Sequence, residues 1–243
     1  MLPQRRQWTI VGAIHLLSLA CAADCRAADV GWGGSLVATS DYVFRGISQT
    51  SGGAAIQGDL HYRWTAGAFA GAWASNIDLP VPGVGRSEVN LYAGWAWAPT
   101  PDWTARVSYV RYLYPDSNRD VHYDYGELTG TVGFRDRVFA TVGWSPDRSR
   151  PAYYADGRGQ AWSYELALRQ PLWRWFGAAV GAGHYDLSDV FGVSYWAWNA
   201  TLTATAGSFE VDLARFGSDD TARDFFGRES AGDRWALTGI WRF

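Results

Sequence analysis

The stretch Asp233-Arg-Trp-Ala-Leu-Thr-Gly-Ile-Trp-Arg-Phe243 sorts cleanly at a period of two residues. One face carries Trp235, Leu237, Gly239, Trp241 and Phe243; the other carries Arg234, Ala236, Thr238, Ile240 and Arg242. Alternation sustained this long predicts a half-buried β-strand. The apolar face has large aromatics at both ends and the opposite face is cationic. A soluble β-domain would need a pocket to receive such a terminal aromatic. In a transmembrane β-barrel the same face meets lipid, its aromatics lie in the two interfacial girdles, and the polar face lines the interior. Trp241 and Phe243 also match, in part, the closing-strand signal read by the outer-membrane barrel assembly machinery; the glycine usual in that signal is one place out here. The stretch alone leaves both readings open.

Composition adds weight to one side. The chain has 243 residues, with 15 Trp, 13 Tyr and 28 Gly beside a single Met. Barrels need aromatics for two belts, whereas soluble domains seldom place so many tryptophans. Net charge is −3, so neither nucleic acid nor an anionic membrane surface is an expected partner. All basic side chains are arginine, from which nothing is concluded.

The first 28 residues are expected to be an export signal. Arg5 and Arg6 precede an apolar run from Trp8 to Ala20, and small residues around Ala22–Ala28 offer a cleavage site. That run is too short to cross a bilayer as a helix, and no later run is long enough. The remaining 29–243 are expected to form one outer-membrane barrel domain. With at most Cys21 and Cys25 near its start, no disulfide framework or CxxC metal site is available.

From Trp32 onward, twelve alternating segments follow: residues 33–46, 54–65, 67–78, 87–98, 102–114, 121–134, 137–145, 160–170, 174–186, 194–204, 207–216 and 233–243. Most have the length of a tilted strand crossing a bilayer. Connections after the even segments are tight, such as Thr65-Ala-Gly67 and Arg135-Asp136. Those after the odd segments, such as Gly46–Gly53 and Gly217–Gly232, are longer and polar. Short periplasmic turns alternating with longer external loops are the pattern of an even-stranded antiparallel barrel. The expected fold class is therefore all-β: a transmembrane antiparallel up-and-down barrel of twelve strands.

Expected outward sets include Ile56, Leu60, Tyr62 and Trp64; Phe69, Trp73 and Ile77; Leu91, Trp95 and Trp97; and Leu128, Val132 and Phe134. Later strands contribute Val138, Val142 and Trp144; Trp162, Leu166 and Leu168; and Trp196, Trp198 and Leu202. The glycine- and alanine-rich segment 177–183 has no clear parity. Arg111 falls on the lipid side, where it costs little only near an interface.

Three early motifs carry a family resemblance. Ser40-Asp-Tyr-Val-Phe-Arg-Gly-Ile-Ser-Gln49, then Gln57-Gly58, then Gly71-Ala-Trp-Ala-Ser-Asn76, occur in the order seen in the TorF family of porin-like proteins, which this chain resembles. The resemblance implies a Gram-negative outer-membrane barrel of pore-forming type and says little about solute.

Pore-lining residues expected from the register are Asp41, Arg45, Gln57, Asp59, Arg63, Arg106, Glu127, Glu165, Arg169, Glu210, Asp212 and Arg234, with His61, Glu88, Asn90 and Arg242 on the same faces. Opposite charges are nearly balanced. They either pair across strands or form a constriction for a charged or sugar-like solute. Asp41 and Arg45 read better as one structural charge network than as an anion-attracting mouth. Twelve strands at ~4.8 Å spacing and ~40° tilt enclose a backbone radius of roughly 12 Å and, after side chains, a lumen of about 6 Å. That size suits ions and small hydrophilic solutes. His61, His122 and His184 are each followed by Tyr, but none lies in the serine-containing arrangement of barrel hydrolases. No catalytic residue, metal site or cofactor is therefore expected. The expected partners are outer-membrane lipids, the barrel assembly machinery and small hydrophilic solutes. The other reading is a non-channel structural or adhesin-type barrel acting through its external loops.

Overall fold

A computed structural model describes residues 30–118, 123–149 and 158–243. The expected signal segment, with Cys21 and Cys25, and His122 lie outside the described residues.

Twelve antiparallel strands close into a barrel: β1 (Gly31–Thr39), β4 (Ala55–Arg63), β5 (Ala68–Asn76), β6 (Ser87–Trp97), β7 (Trp103–Leu113), β8 (Tyr125–Phe134), β9 (Val138–Ser149), β10 (Arg158–Trp173), β11 (Phe176–Leu187), β12 (Val193–Ala206), β13 (Phe209–Ser218) and β14 (Arg234–Arg242). Each pairs with its sequence neighbour, and β14 closes on β1 from Ser35↔Arg242 to Thr39↔Thr238. Phe243 extends the seam by exchanging both backbone hydrogen bonds with Gly34, at 2.9 and 3.1 Å. Closure leaves no open edge in the twelve-stranded sheet.

Period-two sequence produces two very different faces. Outward side chains are apolar and exposed, among them Leu36, Leu60, Leu91, Val107, Val132, Leu166, Val180, Leu202 and Leu213. Aromatics bracket this aliphatic band. Trp32, Trp64, Trp97, Trp103, Trp173, Phe209 and Trp241 lie at the short-turn end, and Tyr109, Trp162, Tyr164, Trp196 and Trp235 towards the long-connection end. An apolar surface of this extent belongs against lipid. Arg111 does point outward, but close to the long-connection end, where it meets Asp147 at 2.8 Å.

Three local features depart from simple alternation. The expected strand 33–46 ends at Thr39; residues 43–48 form a separate hairpin of β2 (Val43–Phe44) and β3 (Ile47–Ser48). Phe69, Trp73 and Ile77 point inward, at 2–4% exposure, correcting their expected lipid-facing parity. They join Tyr92, Tyr112 and Tyr125 in an aromatic cluster inside the barrel, leaving the alanines of β5 on the outside. A bulge opposite Gly159 and Ala161 takes up Pro146 and Asp147, which turns Asp147 out and Arg148 in. In β11 the parity is now clear: Gly177, Ala179, Gly183 and Tyr185 face in, and Val180 faces out.

The long connections carry short helices. α1 (Ser188–Phe191) follows β11, and α2 (Asp220–Phe226) and α3 (Arg228–Ala231) follow β13. No helix among the described residues is long and apolar enough to cross a membrane.

Candidate functional site: a hairpin inside the barrel

The connection from β1 to β4 does not stay at the rim. Its β2–β3 hairpin folds into the lumen, and the sequence of the turn explains how. Arg45 and Gly46 both have positive φ, 53° and 79°, as a two-residue type I′ turn requires. Glycine adopts this at no steric cost, whereas arginine needs compensation. The compensation is a set of contacts on the far wall. Arg45 gives two parallel hydrogen bonds to Glu127 on β8, at 2.8 and 2.7 Å, and a third to Ser163 Oγ on β10 at 3.0 Å. Its Nε is 3.4 Å from Glu165 Oε1, and the Tyr195 hydroxyl donates to its carbonyl at 3.2 Å.

Nearly every other residue of the Asp41–Ser48 motif has a comparable reason. Asp41 accepts from Ser48 Oγ at 2.6 Å, Thr50 Oγ1 at 3.0 Å and Arg234 on β14 at 2.9 Å, which anchors the hairpin base. Tyr42 packs edge-on against Trp73 and Phe44 packs against Tyr112. A Cβ on Gly46 would lie 2.5 Å from that of Ala197 on β12, so only glycine fits both the turn and the wall. Val43 joins the Ala214–Phe216–Ala236 cluster on β13 and β14, and Ile47 joins that of Tyr185 and Tyr195. The hairpin thus spans the lumen and touches strands around most of its circumference.

Arg45, Glu127 and Glu165 therefore meet at the hairpin tip, and Asp41 and Arg234 at its base. The remaining expected residues lie apart. Asp59 accepts from the Tyr92 hydroxyl at 2.5 Å and pairs with His61 Nδ1 at 2.6 Å. Arg63 is half-buried near the short-turn end of β4. Glu210 meets Arg242 at 3.1 Å, and Asp212 accepts from Thr203 at 2.6 Å. Arg106 lies 4.3 Å from the Phe69 ring centre and Arg169 5.0 Å from that of Phe139. Glu88 accepts from Asn90 Nδ2 at 2.8 Å. Gln57 is buried, and neither of its amide atoms is hydrogen-bonded to another described residue. Trp241 and Phe243 are exposed on the outer face.

Alternation missed Arg148, whose guanidinium lies 3.9 Å from the Tyr125 ring centre, because the bulge reverses its side. Missed too was the inward aromatic wall; its one signal was the run of alanines opposite Phe69 and Trp73. His184 lies on the outer face between Tyr164 and Trp196. Among the described residues, no three His, Cys, Asp or Glu gather as a metal site would require.

Below the hairpin lies a cavity that opens to solvent, lined by residues of β1, β4–β10, β13, β14 and the hairpin itself. A closed twelve-stranded antiparallel barrel is a fold found among solved outer-membrane porins. The NanC porin superposes with a TM-score of 0.58 at 9% identity, covering 86% of this chain and 98% of that chain. The KdgM porin superposes at 0.53 and 7% identity, covering 87% and 99%. At these identities the likeness concerns the fold. The chain belongs to the Gcw_chp family, described as a bacterial protein of unknown function, whose profile matches residues 27–236. A comparison with curated proteins finds no match.

Proposed function

We propose that the protein is a porin-like channel of the Gram-negative outer membrane, through which ions or small hydrophilic solutes diffuse passively. In this reading, residues 1–28 are an export signal, the long connections face outward, and the likeness to the TorF motifs reflects shared channel architecture. The observation that carries it is the space under the hairpin: the barrel interior is narrowed by Tyr42–Ser48 and is not filled below it. The pore is then set by the hairpin and by lumen groups that include Asp59, Arg63, Arg106, Glu127, Glu165 and Arg169. The expected result in planar bilayers is discrete conductance steps with weak ion selectivity, because the lumen charges are nearly balanced. Absence of steps above the lipid background would refute the channel.

One observation favours a second reading, a structural or adhesin-type barrel acting through its outer loops. Arg45, Asp41, Asp59 and Glu210 are all engaged inside the lumen, as in a plugged barrel. Silent bilayers with correctly folded protein would select it.

Trp241 and Phe243 serve assembly in this proposal. Their rings lie 5.2 Å apart on the outer face, and the Phe243 backbone completes the seam with Gly34. Deleting Phe243 should sharply reduce the folded protein recovered from outer membranes while leaving unchanged the conductance of those barrels that form. Wild-type membrane levels of the truncated chain would exclude the assembly role.

A further inference from the structure

Beneath the hairpin the lumen wall changes character. Gln57 on β4, Asn90 on β6, Ser108 on β7 and Thr129 on β8 border the same cavity. Gln57 is 2% exposed, and both of its amide atoms lack a hydrogen-bond partner among the described residues. Asn90 is 0% exposed; it donates to Glu88 and leaves Oδ1 without a partner among the described residues. Ser108 and Thr129, buried as residues at 5% and 7% exposure, add two hydroxyl groups to the same wall. Leaving the Gln57 amide and Asn90 Oδ1 unpaired costs about 1–3 kcal/mol each, so this wall is built to be completed by something in the cavity.

The chemistry of that completion is constrained. The charged groups bordering the cavity are already engaged, Arg45 by Glu127 and Glu165, and Asp41 by Arg234. A carboxylate offers only acceptors and would set its lone pairs against Gln57 Oε1 and Asn90 Oδ1. An ammonium offers only donors and leaves Gln57 Nε2 unused. A hydroxyl donates and accepts at once, which matches a wall carrying both kinds of group. Trp73, Val110 and Phe216 add apolar surface to the same cavity, suited to the C–H faces of a sugar ring.

We propose that this layer is a binding site for the ring of a neutral polyhydroxylated solute. The inference rests on the channel reading, since the lumen is the route by which a solute reaches the layer.

The test is a saturation-transfer NMR titration of the barrel folded in detergent, using methyl glucoside, glucuronate and glucosamine as probes. The neutral sugar should bind about tenfold more tightly than either charged one, and Gln57→Leu with Asn90→Leu should weaken it by about tenfold or more. Heat-modifiable gel mobility reports folding. Should that pair fail to fold, Ser108→Ala with Thr129→Val provides the same comparison. Equal binding of the three sugars, no binding at all, or binding unmoved by substitution in a folded barrel would overturn the site. Bilayer recordings on the same preparation separate the two readings. Conductance without sugar binding removes the site and keeps the channel. Sugar binding without conductance does the reverse.

Discussion

Arg45→Ala is expected to release the hairpin and enlarge the pore. The substitution removes the shared partner of Glu127 and Glu165, leaving two carboxylates inside the barrel with Arg45's bidentate and Nε contacts gone. Breaking one side of a buried ion pair costs about 3–5 kcal/mol, chiefly because the other charge is stranded. A loss of that size shifts the docked-to-released ratio of the hairpin by a factor of hundreds or more, on the order of 1.4 kcal/mol per tenfold. The barrel itself should persist, because its strands are held by their own backbone ladder from β1 round to β14. Single-channel recording should show larger, noisier steps than wild type. Adding Glu127→Gln to Arg45→Ala should quieten them, since it removes one stranded charge. An unchanged conductance in folded Arg45→Ala protein would mean that the hairpin does not set the pore.

Leu166→Arg is expected to destabilise the barrel by about 2–4 kcal/mol, the cost of a cation on the lipid face near mid-depth. Leu166 lies on β10 with Trp162 and Tyr164 towards one end and Trp173 towards the other, and it is 54% exposed on the outer surface. Its neighbour Glu165 faces the lumen, where it meets Arg45. One step along the strand therefore separates a position that excludes charge from one that uses it. Urea titration of the barrel folded into vesicles measures the effect. A shift much below 1 kcal/mol would place this face away from the hydrocarbon, on the scale given for barrel midplane charges.

Much of the architecture is readable along the chain because alternation and turn spacing are local. The twelve strands and the tight even-numbered turns follow from residues near one another, whereas the Ser35–Thr39 seam with β14 joins residues far apart in the chain. Alternation shows which side chains share a face, though it does not assign that face to lipid. On β5 the large residues Phe69 and Trp73 turn inward because a second aromatic surface, carried by Tyr42 and Phe44, is waiting inside. On β9 a bulge inserts one extra residue, which reverses the count, so that Arg148 faces the lumen.

The twelve alternating strands are thus a property of periodicity, because the pleat converts every second residue into one surface. The inserted hairpin is a property of the closed barrel. Arg45 and Glu127 are 82 residues apart, and Arg45 and Ser163 are 118 apart. Neither pairing has any expression in local pattern, and only closure brings β8 and β10 to the wall that the turn reaches. The motif Asp41–Ser48 signals a turn wherever it occurs. Its place across the lumen is set by the two acidic side chains that the rest of the barrel presents to it.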